Sequence, residues 1–141
     1  MSLKFINIAL DKGAYIPDRA HDEDAGLDLR TPVAFSISPR GKATIDTGVH
    51  VEIPKGYGGF LKSKSGLNVN HDITSDGTID AGYTGSITVK LYNNGDSEVY
   101  FPEGAKITQL VIQKVETPKV RVVNEVKGLS RGNNGFGSTG V

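Results

Sequence analysis

The sequence predicts a domain built almost entirely of β-strands, arranged as a sandwich, a jelly roll or a barrel. No window of about a dozen residues shows the 3.6-residue apolar period of an amphipathic helix. Short apolar segments recur instead at regular spacing between turn residues, which is typical of antiparallel β-structure. Glycine accounts for 18 of the 141 residues, nearly twice the usual frequency of about 7%. This glycine content predicts many turns, or a backbone that a ligand approaches closely.

Apolar alternation and apolar runs place the individual strands. Residues 86–92 alternate most clearly, because Ile87, Val89 and Leu91 fall on one face of an extended chain. Residues 107–115 are more continuously apolar than the other segments, which predicts a strand covered on both faces. In chain order, the predicted strands are 4–10, 33–37, an alternating segment with Val49, Val51 and Ile53 on one face, 57–63, 86–92, 99–101, 107–115 and 120–126. A single helical turn is predicted after Ser65-Gly66-Leu67.

Polar residues and glycines mark the connections between these strands. Residues 11–32 predict a long polar loop, and loops of that length in a compact domain are usually functional or disordered. Asp76 and Gly77 predict a tight turn before a strand that begins at Thr78. Residues 93–96, Asn-Asn-Gly-Asp, predict a hairpin turn with residues 99–101 as its return strand.

Composition excludes several classes of protein. A chain of 141 residues is the size of one domain with its own core. Its lack of cysteine excludes disulfide frameworks and thiolate metal sites. Sixteen basic residues balance sixteen acidic ones, which argues against stable binding to nucleic acid or to a membrane through bulk charge. Because no apolar run approaches about 18 residues and no signal-peptide pattern is present, we expect a soluble, cytoplasmic protein.

The central segment, residues 76–85, carries more polar groups and glycines than a turn requires. It combines two carboxylates, three glycines and one tyrosine. A tight turn explains the segment in part, because Asp-Gly opens turns and glycine relieves backbone strain. A functional interpretation makes Asp80 a candidate carboxylate base and Tyr83 a candidate flat wall beside a ligand.

The C-terminal segment differs in composition from the rest of the chain. Residues 127–141 contain five glycines and too few apolar groups to fold alone. We therefore divide the chain into a β domain, residues 1–126, and a flexible arm, residues 127–141. The arm also carries groups that suit a nucleotide. Backbone N–H groups, the guanidinium of Arg131 and the hydroxyls of Ser138 and Thr139 can cradle phosphate, and Phe136 can stack on a base.

Five segments resemble, in the same order, the five motifs of the trimeric deoxyuridine triphosphatases (dUTPases). Each alone is a weak signal, but five in order with compatible gaps are highly specific. The resemblance runs from about Ala25 to Gly140. The segments are Ala25-Gly-Leu-Asp28-Leu29, Lys64-Ser65-Gly66-Leu67, Gly77-Thr78-Ile79-Asp80-Ala-Gly-Tyr83-Thr-Gly85, Gly104-Ala-Lys106-Ile-Thr-Gln109-Leu110 and Arg131-Gly-Asn-Asn-Gly-Phe136-Gly137-Ser138-Thr139-Gly140.

The resemblance implies a fold, an activity and a cofactor. The implied fold is a distorted jelly roll of the β-clip kind, assembled as a homotrimer whose active sites are shared between subunits. The implied reaction is hydrolysis of dUTP to dUMP and pyrophosphate, with Asp80 activating a water that attacks the α-phosphorus. The implied cofactor is Mg²⁺, held by Asp28 through water, which suits an ion that binds phosphate with few carboxylates. Such an enzyme limits uracil incorporation into DNA and supplies dUMP for dTMP synthesis.

The same resemblance assigns the remaining motif residues to the substrate. The backbone of Gly77, Thr78 and Ile79 would read uracil, Tyr83 would exclude a ribose 2′-hydroxyl, and Phe136 would cover the base. Phosphate contacts are implied for Ser65, Gly66, Gln109, Arg131, Gly137, Ser138 and Thr139. Lys64 and Lys106 stand where arginine is frequent in the family. Because lysine lacks the bidentate fork of arginine, we assign these two a local positive field rather than specific contacts.

Three alternative functions are each compatible with part of the sequence. A dCTP deaminase on the same scaffold would need a glutamate base, yet residues 55–92 contain no glutamate. A non-catalytic regulator with a protein partner would be expected to carry an added segment between the third and fourth motifs, where only about 18 residues lie. A purely structural jelly roll leaves the five ordered motifs unexplained. His21, His50 and His71 are too far apart in sequence to indicate a metal site, and we interpret them as surface or loop residues.

Overall fold

A computed structural model of the chain describes residues 3–135 and 137. These residues form ten strands and one short helix. The strands are β1 (Asn7–Leu10), β2 (Gly26–Arg30), β3 (Phe35–Ile37), β4 (Lys42–Asp46), β5 (Val49–Glu52), β6 (Tyr57–Lys62), β7 (Ile73–Ile79), β8 (Thr88–Asn93), β9 (Val99–Phe101) and β10 (Lys106–Lys114). The helix, α1, is Ser65–His71. In this part of the chain no helix is long and apolar enough to cross a membrane.

The strands form one large sheet and two small ladders, all of them antiparallel. The large sheet has the order β2–β10–β6–β7–β8–β4, while β1 pairs with β5 and β3 pairs with β9. This arrangement confirms the prediction of an all-β fold of the jelly-roll kind. It also places β10 between β2 and β6. The prediction that β10 is covered on both faces is met only in its first half, where the neighbouring residues Ile107 and Thr108 are both buried, whereas Gln113 and Lys114 are exposed.

The core follows the predicted alternation. In β8, Val89 and Leu91 are buried while Thr88 and Lys90 are exposed, because successive side chains of a strand point to opposite faces. Val49 and Val51 of β5 are buried in the same way. The buried apolar side chains form one cluster: Leu27, Leu29, Ile37, Ile45, Val49, Val51, Ile53, Leu61, Ile73, Ile79, Ile87, Val89, Leu91, Phe101, Ile107 and Leu110.

The predicted hairpin around residues 93–96 is wrong. β8 pairs with β7 and β4, whereas β9 crosses to another ladder and pairs with β3. The side chain of Asn93 explains the change of direction. It is buried and donates to the backbone oxygen atoms of Ile37, at 3.1 Å, and Ser97, at 2.8 Å. These two bonds fix the chain as it leaves one sheet for the other.

Three further predictions of local structure are corrected. The strand predicted at residues 120–126 is absent, since that segment has no ladder partner among the described residues. Conversely, residues 11–32 are not one continuous loop, because β2 lies within them and is almost entirely buried. Asp76 and Gly77 form no turn and lie inside β7, where Asp76 pairs with Lys62 and Gly77 with Leu61.

The other differences concern the ends of elements. Strand β4 is not among the strands that the sequence predicts, and β1 and β3 begin later than predicted, at Asn7 and Phe35. The single helical turn extends to a helix of 7 residues that ends at Asp72 in the left-handed conformation, with φ of 57°. The helix thus reverses the chain between β6 and β7.

Candidate active site

The first part of the site is a wedge between β7 and β8. The two strands pair through Ser75 and Leu91 and then separate, while the second half of β7 pairs with β6 instead. On the side that faces β8, the backbone edge of residues 76–79 therefore has no ladder partner among the described residues. A cavity of about 270 Å³ opens there, lined by Thr78, Ile79, Asp80, Tyr83, Ser86 and Thr88. The wedge brings a free backbone edge, a carboxylate and a tyrosine together.

Asp80 and Tyr83 occupy the mouth of this wedge. Tyr83 N donates to Asp80 O at 3.1 Å, which closes a turn directly after β7. The Tyr83 hydroxyl donates to Ser86 O at 2.9 Å, so the far end of the ring is fixed to the opposite side of the wedge. The Asp80 carboxylate makes no bond to another described side chain or backbone group. Its oxygen atoms can therefore accept hydrogen bonds from water or a ligand.

Gly85 allows Tyr83 to take this position. A Cβ atom at Gly85 would lie 2.4 Å from the Tyr83 hydroxyl oxygen, much closer than two non-bonded heavy atoms can approach. Gly82 lies in the same turn with φ of +90°, a conformation that glycine adopts without strain. Geometry therefore favours glycine at both Gly82 and Gly85.

The second part of the site is a polar cavity at the other end of the sheet. It has a volume of about 430 Å³ and lies between β2, β10 and the start of α1. It is lined by Ala20, Asp24, Ala25, Gly26, Asp28, Lys64, Ser65, Gly66, Lys106 and Gln109. Residues from the first, second and fourth motif segments therefore meet in one cavity.

Asp28 is the electrostatic centre of this cavity. Its side chain is only 7% exposed, and one carboxylate oxygen accepts from Lys64 while the other lies 3.2 Å from Lys106 Nζ. Burial would raise the pKa of Asp28, but hydrogen bonds and charge from Lys64 and Lys106 outweigh burial and hold the pKa below its usual value. Asp28 is therefore ionised at neutral pH, and both lysines are oriented by it.

The remaining residues of this cavity present polar groups at its wall. Gln109 Nε2 donates to Ser63 O at 3.0 Å, which fixes the amide next to Gly26. A Cβ at Gly26 would lie 2.2 Å from Gln109 Oε1, so only glycine admits this side chain. Ser65 is exposed, and the Cβ position of Gly66 faces open space. The hydroxyl of Ser65 and the backbone at Gly66 are thus accessible to a ligand.

The two parts lie far apart within one chain. Ile79, the last residue of β7, pairs with Gly59 near the start of β6, and Asp80 follows it. Lys64 follows the opposite end of β6. Six residues of extended strand span roughly 20 Å at about 3.3 Å per residue. Asp80 and Lys64 of the same chain therefore cannot contact the same phosphate group.

Of the arm residues, only some fall within the described part of the chain. Arg131 is exposed, and its guanidinium Nε donates to Asn134 O within the arm itself. Gly137 adopts a φ of +91°. Phe136, Ser138 and Thr139, which the sequence assigns to base and phosphate, lie outside the described residues.

Sequence reasoning missed two groups that support the wedge, Asp46 and His50. The Ser86 hydroxyl donates to Asp46 Oδ1, and Gly48 N donates to the same oxygen at 2.9 Å. These hydrogen bonds, chiefly the one from Ser86, hold the pKa of Asp46 below its usual value. The Asp-Thr-Gly sequence at residues 46–48 was the available signal, since aspartate commonly bonds the backbone two residues ahead in a turn.

His50 is the second missed group, because its interpretation as a surface or loop residue agrees with its partial exposure but omits its place in a strand and the contacts of its ring. It lies in β5, and its side chain is 29% exposed. Its Nδ1 atom lies 2.7 Å from the backbone oxygen of Thr84, and its Nε2 atom lies 2.9 Å from Asp11 Oδ1. The ring therefore connects the loop after β1 to the segment that carries Tyr83.

Known proteins are similar to this chain over nearly its whole length. A family model described as dUTPase matches residues 12–140. The deoxyuridine 5'-triphosphate nucleotidohydrolase of Clostridium novyi (strain NT) is 40% identical over 142 residues, which covers 99% of this chain and 100% of the relative.

Solved structures of dUTPases have the same fold as this chain. A mutant of the Staphylococcus bacteriophage 80alpha dUTPase with dUpNHpp superimposes with a TM-score of 0.92 at 30% identity, over 99% of this chain and 100% of that chain. A mutant dUTPase from phage phi11 of S. aureus, described for its coordination of a structural Mg(II) ion, superimposes with a TM-score of 0.80 at 30% identity, over 86% and 97% of the two chains. Sequence and fold therefore agree over nearly the whole length.

Proposed function

This chain belongs to the dUTPase family, and from that premise we propose that it hydrolyses dUTP to dUMP and pyrophosphate at sites shared between the subunits of a homotrimer. One observation carries the proposal of shared sites. The wedge with Asp80 and the cavity with Asp28 and Lys64 lie near opposite ends of β6, roughly 20 Å apart by strand length. A single nucleotide reaches both sets of groups only if a second subunit supplies one of them.

The wedge suits uracil and a deoxyribose. The unpaired backbone edge of residues 76–79 offers N–H and C=O groups, and uracil differs from cytosine in the order of its donors and acceptors. A site that makes such bonds rejects a mismatched base strongly, because its own polar groups would be left unpaired. Tyr83, held by Ser86 O, closes the sugar side of the wedge. We assign to its ring the exclusion of a ribose 2′-hydroxyl.

Asp80 is the base in this proposal. It lines the wedge, and its carboxylate is available to a water molecule. By accepting a proton from that water as the water attacks the α-phosphorus, Asp80 contributes about 10²- to 10⁴-fold to the rate, the range typical of general-base catalysis. Pyrophosphate leaves and dUMP remains. Positioning and neutralisation of charge contribute the rest of the acceleration.

The polar cavity is the phosphate half of the site. We assign phosphate contacts to the Ser65 hydroxyl, the Gly66 backbone and the Gln109 amide, all of which are accessible there. Lys64 and Lys106 supply positive charge beside them. Because both lysines are turned towards Asp28, they act on phosphate as a nearby field rather than as dedicated ligands.

The cavity fits Mg²⁺ that arrives with the substrate. Within the described residues, no group of three or more His, Asp or Glu side chains could enclose a metal ion, so these residues do not by themselves form a complete metal cage. Asp24 and Asp28 nevertheless line the cavity, and Mg²⁺ is ordinarily held by one or two carboxylates together with waters and phosphate oxygens. We assign Asp28 to that role, through water. The ion would offset phosphate charge and polarise the phosphoryl group.

An exposed apolar segment supports the trimer. Val120, Val122 and Val126 are 92%, 92% and 85% exposed, although the segment alternates as a strand does. Strands form only with a partner, and a row of exposed apolar groups marks an interaction surface. We propose that residues 120–126 pair with a neighbouring subunit, and that the arm, residues 127–141, then continues over the shared site. The arm would bring Arg131, Phe136, Gly137, Ser138 and Thr139 to the nucleotide.

A panel of nucleotides tests the proposal. Pyrophosphate release is measured with dUTP, dCTP, dTTP and UTP, each with and without Mg²⁺. We expect rapid release only from dUTP with Mg²⁺. Ammonia from dCTP would indicate a deaminase, and tight binding of dUTP without pyrophosphate release would indicate a nucleotide-dependent regulator. Equal turnover of UTP and dUTP would contradict the role of Tyr83.

A further inference from the structure

The ring of His50 joins two segments that are distant in sequence. On one side it reaches the carboxylate of Asp11, in the loop after β1, and on the other it reaches the backbone oxygen of Thr84. Thr84 lies directly after Tyr83, in the connection between β7 and β8 that forms one wall of the wedge. His50 itself belongs to β5, which is anchored in the core through Val49 and Val51. The ring is therefore a tether from a rigid strand to the substrate segment.

The chemistry of the two partners fixes the protonation of the ring. A carbonyl oxygen and a carboxylate can only accept hydrogen bonds. Both bonds therefore exist together only when Nδ1 and Nε2 each carry a hydrogen atom, that is, when the ring is the imidazolium cation. A neutral ring must give up one of the two bonds.

The surroundings favour the cation. The charged groups that face the ring from neighbouring elements are Asp11, from the loop after β1, and Asp46, from the end of β4, while Glu52 of β5 lines the same cavity. All three are carboxylates. The bond to the Thr84 backbone and then the bond to Asp11 raise the pKa of His50 above its ordinary value. The two bonds therefore stabilise the protein below about pH 6.5, and that contribution is lost as the pH rises through the raised pKa.

We propose that His50 is a positioning residue that holds the Tyr83–Thr84 segment in its substrate-binding position through a hydrogen bond that exists only while the ring is protonated. The inference rests on the proposed function, since it assigns the sugar wall to Tyr83. It predicts that dUTP binding and sugar discrimination weaken with rising pH.

The bond lost on deprotonation is the one to Thr84. A hydrogen bond to an ionised carboxylate is about twice as strong as one to a neutral acceptor. The neutral ring therefore keeps its hydrogen on Nε2, facing Asp11, and turns the lone pair of Nδ1 towards the Thr84 oxygen. The tether from Ser86 to Asp46 stays intact, because a serine hydroxyl donates at any pH in this range. The wedge thus loosens on the Thr84 side and does not unfold.

Two substitutions separate the two bonds. In His50→Asn the amide nitrogen occupies the place of Nδ1 and can donate to Thr84 at every pH, whereas in His50→Gln it occupies the place of Nε2 and can donate only to Asp11. KM and kcat for dUTP and for UTP are measured from about pH 6 to about pH 9, a range that includes the ordinary histidine pKa of about 6.5 and values above it. Dividing the wild-type constants by the His50→Asn constants at each pH removes the part of the pH dependence that comes from titration of the nucleotide itself.

The expected results differ between the variants. Relative to His50→Asn, the wild-type KM for dUTP rises about three- to tenfold from low to high pH, the change that one hydrogen bond supports. The preference of the wild type for dUTP over UTP declines in parallel, while His50→Gln shows the high-pH values throughout. A wild-type to His50→Asn ratio that does not change with pH would overturn the proposal, as would identical profiles for the two variants.

A measurement on the unmodified protein keeps the inference testable even if a variant fails to fold. The ¹⁵N resonances of the His50 ring report the hydrogen on each nitrogen. We expect both nitrogens to be protonated at low pH and only Nε2 at high pH. Retention of the hydrogen on Nδ1 at high pH would refute the mechanism. This result is independent of the proposed function, which fails separately if the wild-type protein releases no pyrophosphate from dUTP at about pH 6.

Discussion

Mixing two inactive variants tests whether the active site is shared between subunits. Asp80→Asn removes the base in the wedge and leaves the phosphate cavity unchanged. Ser65→Asp leaves the wedge unchanged and places a carboxylate against the phosphates. Ser65 is exposed, so the longer side chain fits without repacking. The two variants are combined in equal amounts in denaturant and refolded together.

The size of the expected recovery follows from the activity of each parent and from the fraction of sites in which both halves are intact. Each parent should be nearly inactive. Loss of the base costs about 10²- to 10⁴-fold, and each like-charge contact at about 4 Å costs about 1 kcal/mol in water and about 4 kcal/mol near a protein surface. If the wedge and the cavity come from different subunits of a closed ring, each half of a site is intact in about half of the cases. About one quarter of the sites, and about one quarter of the wild-type rate, should therefore return.

The assay is pyrophosphate release from dUTP, with native mass spectrometry to count the mixed trimers by a tag on one variant. As a matched control, the double variant carrying both substitutions is refolded with wild-type protein. Shared sites predict about one quarter of the wild-type rate here as well, whereas sites within one subunit predict about one half. Mixed trimers of the two single variants that remain as inactive as the parents would refute the reasoning, because a site within one chain cannot be restored by mixing.

Three further predictions concern individual segments. Truncation after Lys127 should sharply reduce kcat/KM for dUTP without changing the melting temperature, since every described arm residue except Gly135 is exposed. Unchanged kinetics would show that the arm has no role. Gly85→Ala should displace the Tyr83 hydroxyl, which lies 2.4 Å from the new Cβ position, and so reduce the preference for dUTP over UTP; an unchanged ratio would contradict the sugar role. Tyr83→Phe, which loses only the bond to Ser86, should reduce that preference by less, about two- to tenfold.

Local sequence patterns predicted the parts of the fold that depend on local order. The alternation in β8 and β5 gave the correct buried faces, because strand geometry alone sends alternate side chains to opposite sides. Strand β2 could not be found in this way. All but its last residue are buried, and the charged Asp28 among them makes the segment resemble a loop. That charge is compensated by Lys64 and Lys106, which lie on other elements.

The strand prediction for residues 120–126 fails for the opposite reason. Its alternating valines predict a strand, but a strand needs a partner for its backbone groups, and none of the described residues provides one. The pattern is therefore informative about an interaction with another chain rather than about the fold of this one. The residues of three motif segments come together in the polar cavity, whereas the tethers at His50 and Asp46 depend on partners more than thirty residues away.

The charge balance of the polar cavity predicts that binding of a triphosphate there depends on both the arm and a cation. The two lysines that line it, Lys64 and Lys106, are offset by the two carboxylates of Asp24 and Asp28, so its net charge is close to zero. A nucleoside triphosphate brings about four negative charges that must be neutralised in the transition state. Arg131 would supply one positive charge from the arm and a magnesium ion two more. Because the lysines are already engaged with Asp28, they cannot replace either source, and loss of either one should weaken dUTP binding even with the wedge intact.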